Sequence, residues 1–489
     1  MAVSLSLKTL SALPDRVGRP AYARADLSPG IVHFGIGNFH RAHLQVYLDR
    51  LMNAGRDHDW AIVGAGVTPY DVKMRDALAG QDWLSTVVEQ SAEKSAAHVT
   101  GVMTDFLPPM DGAAIVRQLA LPATGIVSMT VTEGGYFINP ATGAFDPENP
   151  SIAADAAHPE APKTVFGLIL AGLRARRAAG VQPFTVMSCD NVPHNGVVVR
   201  NAVAGLAEAQ DPKFAAWIRD NVAFPNAMVD RIATGTGDRE RKITREEFGI
   251  EDAWPLFCED FIQWVVEDEF PAGRPAFEEV GAQFVADVTP FEHMKIRILN
   301  GGHAIIAYPS GLMDIHFVHE GMADPLVRAF LTKVETEEIL PILPPVPDTD
   351  LHDYFELIVS RCDNPKIGDT IRRLCLDGSN RQPKFIVPSI ADRIDRGLPV
   401  QGLALESALW ARYCAGTTDS GKVIEPNDPS WDRMQAQALR AKDDPAAWLE
   451  MRDIYGATAD APPFRDAFSR WLRALWSDGT EATLRRYLG

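Results

Sequence analysis

A chain of 489 residues, 46% of them hydrophobic, is long enough to build two or three cored domains. Its 47 Lys and Arg against 65 Asp and Glu leave a formal net charge of −18, which argues against nucleic-acid binding, a function that needs basic patches. Five scattered cysteines with no CxxC pair argue against a disulfide framework or a cysteine-rich zinc site, and no apolar stretch approaches a membrane span.

The opening Met-Ala-Val-Ser-Leu-Ser-Leu-Lys lacks the basic, apolar and cleavage regions of a secretory signal, so a cytoplasmic protein is expected. The negative charge is spread along the chain and no apolar surface patch is evident, which points to a monomer. The first strong pattern is the apolar run Ile31-Val-His-Phe34, followed by Gly35, Ile36, Gly37, Asn38, Phe39, His40 and Arg41 and then Leu44-Gln-Val-Tyr-Leu48. This predicts strand, tight glycine turn and helix. Gly35 permits the turn, Gly37 lets a pyrophosphate approach the backbone, and the helix offers N–H groups to it. The third glycine of the usual dinucleotide fingerprint is missing, since Ala42 arrives late.

A second strand, Trp60-Ala-Ile-Val-Gly64, follows at the distance a βαβ unit requires. Asp71 is the candidate acceptor for the adenosine ribose; it reads equally as a helix-start residue after Pro69. Thr124 to Thr132 reads as a buried strand ending at Glu133-Gly-Gly-Tyr136, Thr164 to Leu173 as a helix, and Phe184 to Ser188 as a strand leading to Cys189-Asp190-Asn191. Such alternation predicts a parallel sheet flanked by helices, with Gly35, Glu133 and Asn191 at the carboxyl ends of its strands, where ligands bind.

Near Asp287-Val-Thr-Pro290 the texture changes to long helical segments, which sets expected domains of 1–286 and 287–489. Thr289 and Pro290 can start a helix that carries Lys295, Asn300 and His303. At about 100° per residue, Asn300 falls about 140° around the axis from Lys295 and His303 about 80°, so all three share one broad face. A lysine of depressed pKa can take the proton of an alcohol, while an amide and an imidazole steady the oxygen during hydride removal. The alternative is an exposed Lys, a capping Asn and a packed His. Gly301 and Gly302 cost about 1 kcal/mol each inside a helix, so a close approach is expected there. His33, His40 and His43 invite a zinc reading, but no further ligand follows at suitable spacing and no metal is expected.

With these residues in place, the chain resembles the polyol-specific long-chain dehydrogenase/reductase family over nearly its whole length. The resemblance is carried by Gly35 to His43, Thr130-Val-Thr-Glu-Gly-Gly-Tyr136, Pro162-Lys-Thr-Val-Phe-Gly167 and Ser188-Cys-Asp-Asn-Val-Pro-His-Asn-Gly196. Phe224-Pro-Asn-Ala-Met-Val-Asp-Arg231, Asp252-Ala-Trp-Pro255 and the lysine helix extend it. The resemblance implies an α/β fold, with a Rossmann-like amino-terminal domain and a mainly α-helical carboxy-terminal one. It also implies metal-independent hydride transfer with NAD. It places the catalytic base on Lys295, alkoxide-binding amides on Asn191 and Asn300, and a substrate-orienting imidazole on His303. Asp230 and Arg373 fall at polyol-contacting positions, and Glu292 and Glu133 at positions suited to a proton relay. Of the family's acidic pair at the cofactor ribose, Tyr70 takes the first place and Asp71 keeps the second, so NAD is expected over NADP. The motifs after Ser188 favour a neutral polyol: D-mannitol going to D-fructose, with D-arabinitol and D-sorbitol as further substrates. The alternatives are a fructuronate reductase, with Arg373 on the carboxylate, and a catalytically silent NAD-binding sensor.

Overall fold

Short apolar runs in the first half of the chain become strands buried on both faces. The computed structural model describes residues 2–139 and 143–489 and divides into two units, one ending at Thr289 and one starting at Pro290. In the first unit, β1 (Pro29–Phe34), β2 (Ala61–Ala65), β3 (Met103–Phe106), β4 (Ile126–Met129) and β5 (Thr185–Ser188) pair in the order β3-β2-β1-β4-β5, every pair parallel. This is the Rossmann order, with its topological switch between β1 and β4. Phe34 lies opposite Met129, and Met129 opposite Ser188, so β1, β4 and β5 end level with one another.

Side chains alternate between two cores, as the period of a strand requires. Val32, Phe34, Val127, Met129 and Val186 enter one, where they meet Leu119, Leu168 and Leu173. Ile31, Ile62, Ile126 and Met187 enter the other, against Leu44, Leu48 and Leu51. Each such side chain fully removed from water contributes about 1.5–3 kcal/mol. The helix Val165–Ala179 is closed at both ends: Thr164 accepts from the Gly167 N–H (3.0 Å), and Gly180 stops it at φ 68°.

A four-stranded mixed sheet (Ala233–Thr234, Leu256–Glu259, Ser85–Gln90, Ser95–Thr100) and a three-stranded one (Gln283–Val285, Gln263–Glu267, Ala227–Asp230) belong to the same unit. The predicted helix after Gly37 is broken in two. Asn38–Ala42 is a short helix, His43 takes φ −120° and ψ −86°, and Leu44–Asn53 resumes beyond it.

The second unit is built of helices. Gln401–Cys414 is its centre, with every residue from Gly402 to Cys414 buried. Trp410 sits edge-on to Trp448, with ring centroids 4.9 Å apart. Among the described residues no helix is long and apolar enough to cross a membrane. All five cysteines are buried, and none of them forms a disulfide.

The central helix carries one buried acid. Glu406 Oε1 accepts from Gln382 Nε2 (2.5 Å), and burial pushes its carboxyl up from 4.5 to about 8. The unfolded chain releases this proton above pH 4.5, whereas the folded chain keeps it to about pH 8. Stability therefore falls as pH rises through that window, by up to about 1.4 kcal/mol per pH unit. Glu406→Gln keeps the shape and removes the titration. Its melting temperature is expected to exceed the wild type's by more at pH 8 than at pH 5, measured by calorimetry.

Candidate active site

The turn after β1 is shaped by contacts that only glycine allows. Gly35 has φ +87°, and a Cβ there would overlap the carbonyl oxygen of Thr130 at the end of β4. Thr130 Oγ1 donates back to the Gly35 carbonyl (2.7 Å), so the turn and the β4 exit are clasped together. Gly37 is different. A Cβ there would meet nothing within 4 Å, which leaves open space where a pyrophosphate can come close to the backbone. The residues that follow act as supports. Ile36 is buried. Asn38 Nδ2 donates to the Thr234 carbonyl (3.0 Å), and Phe39 stacks on His43 at 4.9 Å. Arg41 is fully buried and donates to the Trp254 carbonyl (2.9 Å) and to Asn38 Oδ1 (3.1 Å), so it fixes the loop from behind.

Beneath the loop, His33 and His40 stack with ring centroids 3.5 Å apart. His33 pairs with Ser128 Oγ (2.7 Å), whereas neither ring nitrogen of His40 has a hydrogen-bond partner. Burial lowers both rings, His33 to about 3, so the stack is neutral at physiological pH. Among the described residues no group of three His, Cys, Asp or Glu side chains is arranged to hold a metal ion.

Beyond β2, Asp71 is buried at the start of the helix Pro69–Ala79 and closes its capping box. Its Oδ2 accepts from Val67 N–H (3.1 Å), Thr68 N–H (2.8 Å) and Thr68 Oγ1 (2.7 Å). Tyr70 beside it is 58% exposed, with its ring edge-on to Trp254 at 6.3 Å.

At the ends of β4 and β5 lies a hub that sequence reasoning passed over. Asp190 accepts from Val131 N–H (2.8 Å), Thr132 N–H (3.1 Å) and Tyr136 Oη (2.6 Å), and the next residue, Asn191, is exposed. The buried Asn195 donates to the carbonyls of Asp190 (3.1 Å) and Ala227 (2.7 Å), tying this turn to the strand that ends in the buried Asp230. The only available signal was membership in the Ser188–Gly196 motif, because the partners lie more than 50 residues upstream. Glu133 starts the 3-10 turn Glu133–Tyr136, and its side chain lies outside the described residues.

In the second unit, the helix expected to carry Lys295 regularly does not do so. Thr289–Met294 is α-helical and holds the buried Glu292, Lys295–Asn300 is a π-helical turn, and Gly301–Leu312 is α-helical again. The 100° reckoning fails here because bonds from i to i+5 widen the turn, which brings Asn300 round to slightly more than one turn past Lys295. Lys295 is 5% exposed, while Asn300 and His303 are half-buried. Arg297 anchors the turn through Ser389 Oγ (2.7 Å) and Asp392 Oδ2 (3.0 Å).

Gly302 faces Glu335, whose Oε1 would lie 3.3 Å from a Cβ at that position. Glu335 begins a second π-helical turn, Glu335–Ile339, and is fully buried with no partner for either oxygen. Burial holds its carboxyl well above the usual range, so it is neutral. Arg373, on the short helix Ile371–Leu374, grips Asp369 with two guanidinium nitrogens.

Residues 29–279 match the family model described as the mannitol dehydrogenase Rossmann domain, and residues 287–476 match the mannitol dehydrogenase C-terminal domain. This chain belongs to the mannitol dehydrogenase family. Among relatives in that family, mannitol 2-dehydrogenase of Cereibacter sphaeroides is 60% identical over 96% of this chain and 99% of its own length. Mannitol 2-dehydrogenase of Aspergillus fumigatus is 42% identical over 96% and 95%. The solved structure of Pseudomonas fluorescens mannitol 2-dehydrogenase in ternary complex with NAD and D-mannitol is 43% identical, covers 99% of both chains and has a TM-score of 0.89. A substrate-free D-sorbitol dehydrogenase is 35% identical, covering 98% and 100%, with a TM-score of 0.91.

The two glycines of the turn predict opposite outcomes. Gly35→Ala is expected to lower the melting temperature, because the clasp with Thr130 cannot close. Gly37→Val is expected to melt normally and to lose at least tenfold in dinucleotide affinity, read by fluorescence titration, since its side chain fills the open cradle.

Proposed function

We propose that this chain catalyses the NAD-dependent oxidation of D-mannitol to D-fructose and its reverse, with D-arabinitol and D-sorbitol as further substrates. The observation that carries the chemistry is the buried Lys295 at the first position of a π-helical turn that also bears Asn300, the arrangement a desolvated amine base needs. The 60% identity to a mannitol 2-dehydrogenase over 96% of the chain supports the choice of polyol.

The open cradle over Gly37 fits a dinucleotide phosphate, held from behind by Gly35, Ile36, Asn38, Phe39, His40 and Arg41. In this reading Asp71, with Glu133, lies on the cofactor side. NAD, when bound, supplies the acceptor for the hydride on C2. Lys295, which must shed its own proton to act as a base, takes the proton of the C2 hydroxyl, and Asn191 and Asn300 donate to the oxygen as it gains negative charge. Such a preorganised donor is typically worth about 10²–10³ in rate. His303 orients the hydroxyl, Asp230 and Arg373 hold the rest of the polyol, and Glu292 and Glu133 return the proton from Lys295 to water. In the ketose-reducing direction protonated Lys295 is the acid.

Arg373 favours a neutral substrate over a uronate. Its guanidinium already grips Asp369 through two nitrogens, so its charge is balanced within the chain and a substrate carboxylate would have to displace that pair.

Lys295→Ala is expected to lose at least 10³-fold in turnover of D-mannitol, measured by NADH absorbance, with NADH affinity kept within about threefold. Near-normal turnover in that variant would remove Lys295 from the role of base.

A further inference from the structure

We propose that Asp190 is a positioning residue for the reaction: its carboxylate holds Thr132 in a strained backbone conformation and so fixes the turn that presents Asn191. The proposal rests on the reading of Asn191 as an alkoxide-binding amide. Thr132 has φ +63° and ψ 167°, a region that is almost exclusively glycine's. A residue with a β-branched side chain stays there only when its surroundings insist on it. The Asp190 carboxylate supplies that insistence at 3.1 Å through Oδ1, while Oδ2 takes the neighbouring Val131 N–H at 2.8 Å and Tyr136 Oη at 2.6 Å.

The tie is stiff on both sides. Tyr136 is fully buried, and its hydroxyl also pairs with Ser188 Oγ at 2.6 Å, at the last residue of β5. The Asp190 N–H donates to the same Ser188 Oγ at 3.2 Å, and Asn195 holds the Asp190 carbonyl at 3.1 Å. One carboxylate thus joins the exit of β4 to the exit of β5, one residue before Asn191. An amide at position 190 keeps only one acceptor oxygen. Turned toward Val131 and Tyr136, it sets its NH2 against the Thr132 N–H, donor to donor. Asp190→Asn therefore frees Thr132 selectively, and the relaxing loop carries Asn191 off its position.

The decisive experiment is a double-mutant cycle between Asp190→Asn and Thr132→Gly, because glycine adopts φ +63° without being held there. In the wild-type background Asp190→Asn is expected to lower kcat for D-mannitol oxidation about 10- to 100-fold, the range that release of one such backbone strain spans. NADH affinity is expected to stay within about threefold. In the Thr132→Gly background the same substitution is expected to cost less than about threefold in kcat.

A kcat for Asp190→Asn within twofold of wild type, or an equal loss in both backgrounds, overturns the proposal. If Asp190→Asn alone does not fold, the comparison between Thr132→Gly and the double variant decides, and a tenfold drop there overturns it. Lys295→Ala, measured alongside, tests the functional reading separately. Full turnover in that variant defeats the base assignment alone, while the cycle between positions 190 and 132 still decides the positioning role.

Discussion

The contact on which the first unit depends is the close approach of Gly35 to the carbonyl of Thr130. It leaves no room for a side chain, and the return bond from Thr130 Oγ1 at 2.7 Å makes it a clasp. The clasp sits at the switch between β1 and β4, where the helical connections of a Rossmann sheet diverge and leave a crevice. From Thr130 the chain runs directly into Val131 and Thr132, which the Asp190 carboxylate holds to the end of β5. The glycine turn, the strained loop and the turn that bears Asn191 therefore follow one another along the ends of β1, β4 and β5. The neutral His33–His40 stack supports the cradle from below without placing a charge there.

The second unit has its own constraint, the extra residue inserted into the helix that bears Lys295. A π-helical turn is unfavourable without tertiary support, and such turns occur often at functional sites. Here the support is a second π-helical turn, Glu335–Ile339, with the carboxyl of Glu335 over Gly302. A side chain larger than hydrogen at 302 would press on a buried, unpartnered acid. That accounts for a glycine in a position where helix propensity disfavours it.

Much of this was legible in the sequence. The strands of the parallel sheet are short apolar runs that need only local pattern to be seen, and the glycine turn after Phe34 announces itself. The break at His43 was not legible, because the helical pattern continues through it and the ring is held by Gln263, 220 residues away. Nor was the mixed sheet, since Ser85–Gln90 pairs with Leu256–Glu259 from the far end of the domain. The π-helical turn defeats angular arithmetic for the same reason: tertiary packing, not local propensity, inserts the extra residue. Asp71 shows the limit from another side. Its spacing suits a ribose acceptor, and its capping box is equally a helix-start feature, so spacing alone could not separate the two.

What the chain does with these parts is a question of substrate class. In the proposed reading, the Arg373–Asp369 pair and the buried Lys295 belong to a site for neutral polyhydroxy chains. The direct test is to follow NADH by absorbance with the wild-type protein, offering D-mannitol, D-arabinitol, D-sorbitol, D-fructose and D-fructuronate side by side. The account predicts turnover of D-mannitol and D-fructose and none of D-fructuronate. Turnover of D-fructuronate alone would contradict the neutral-polyol assignment, and tight NADH binding without turnover of any of the five would contradict catalysis itself.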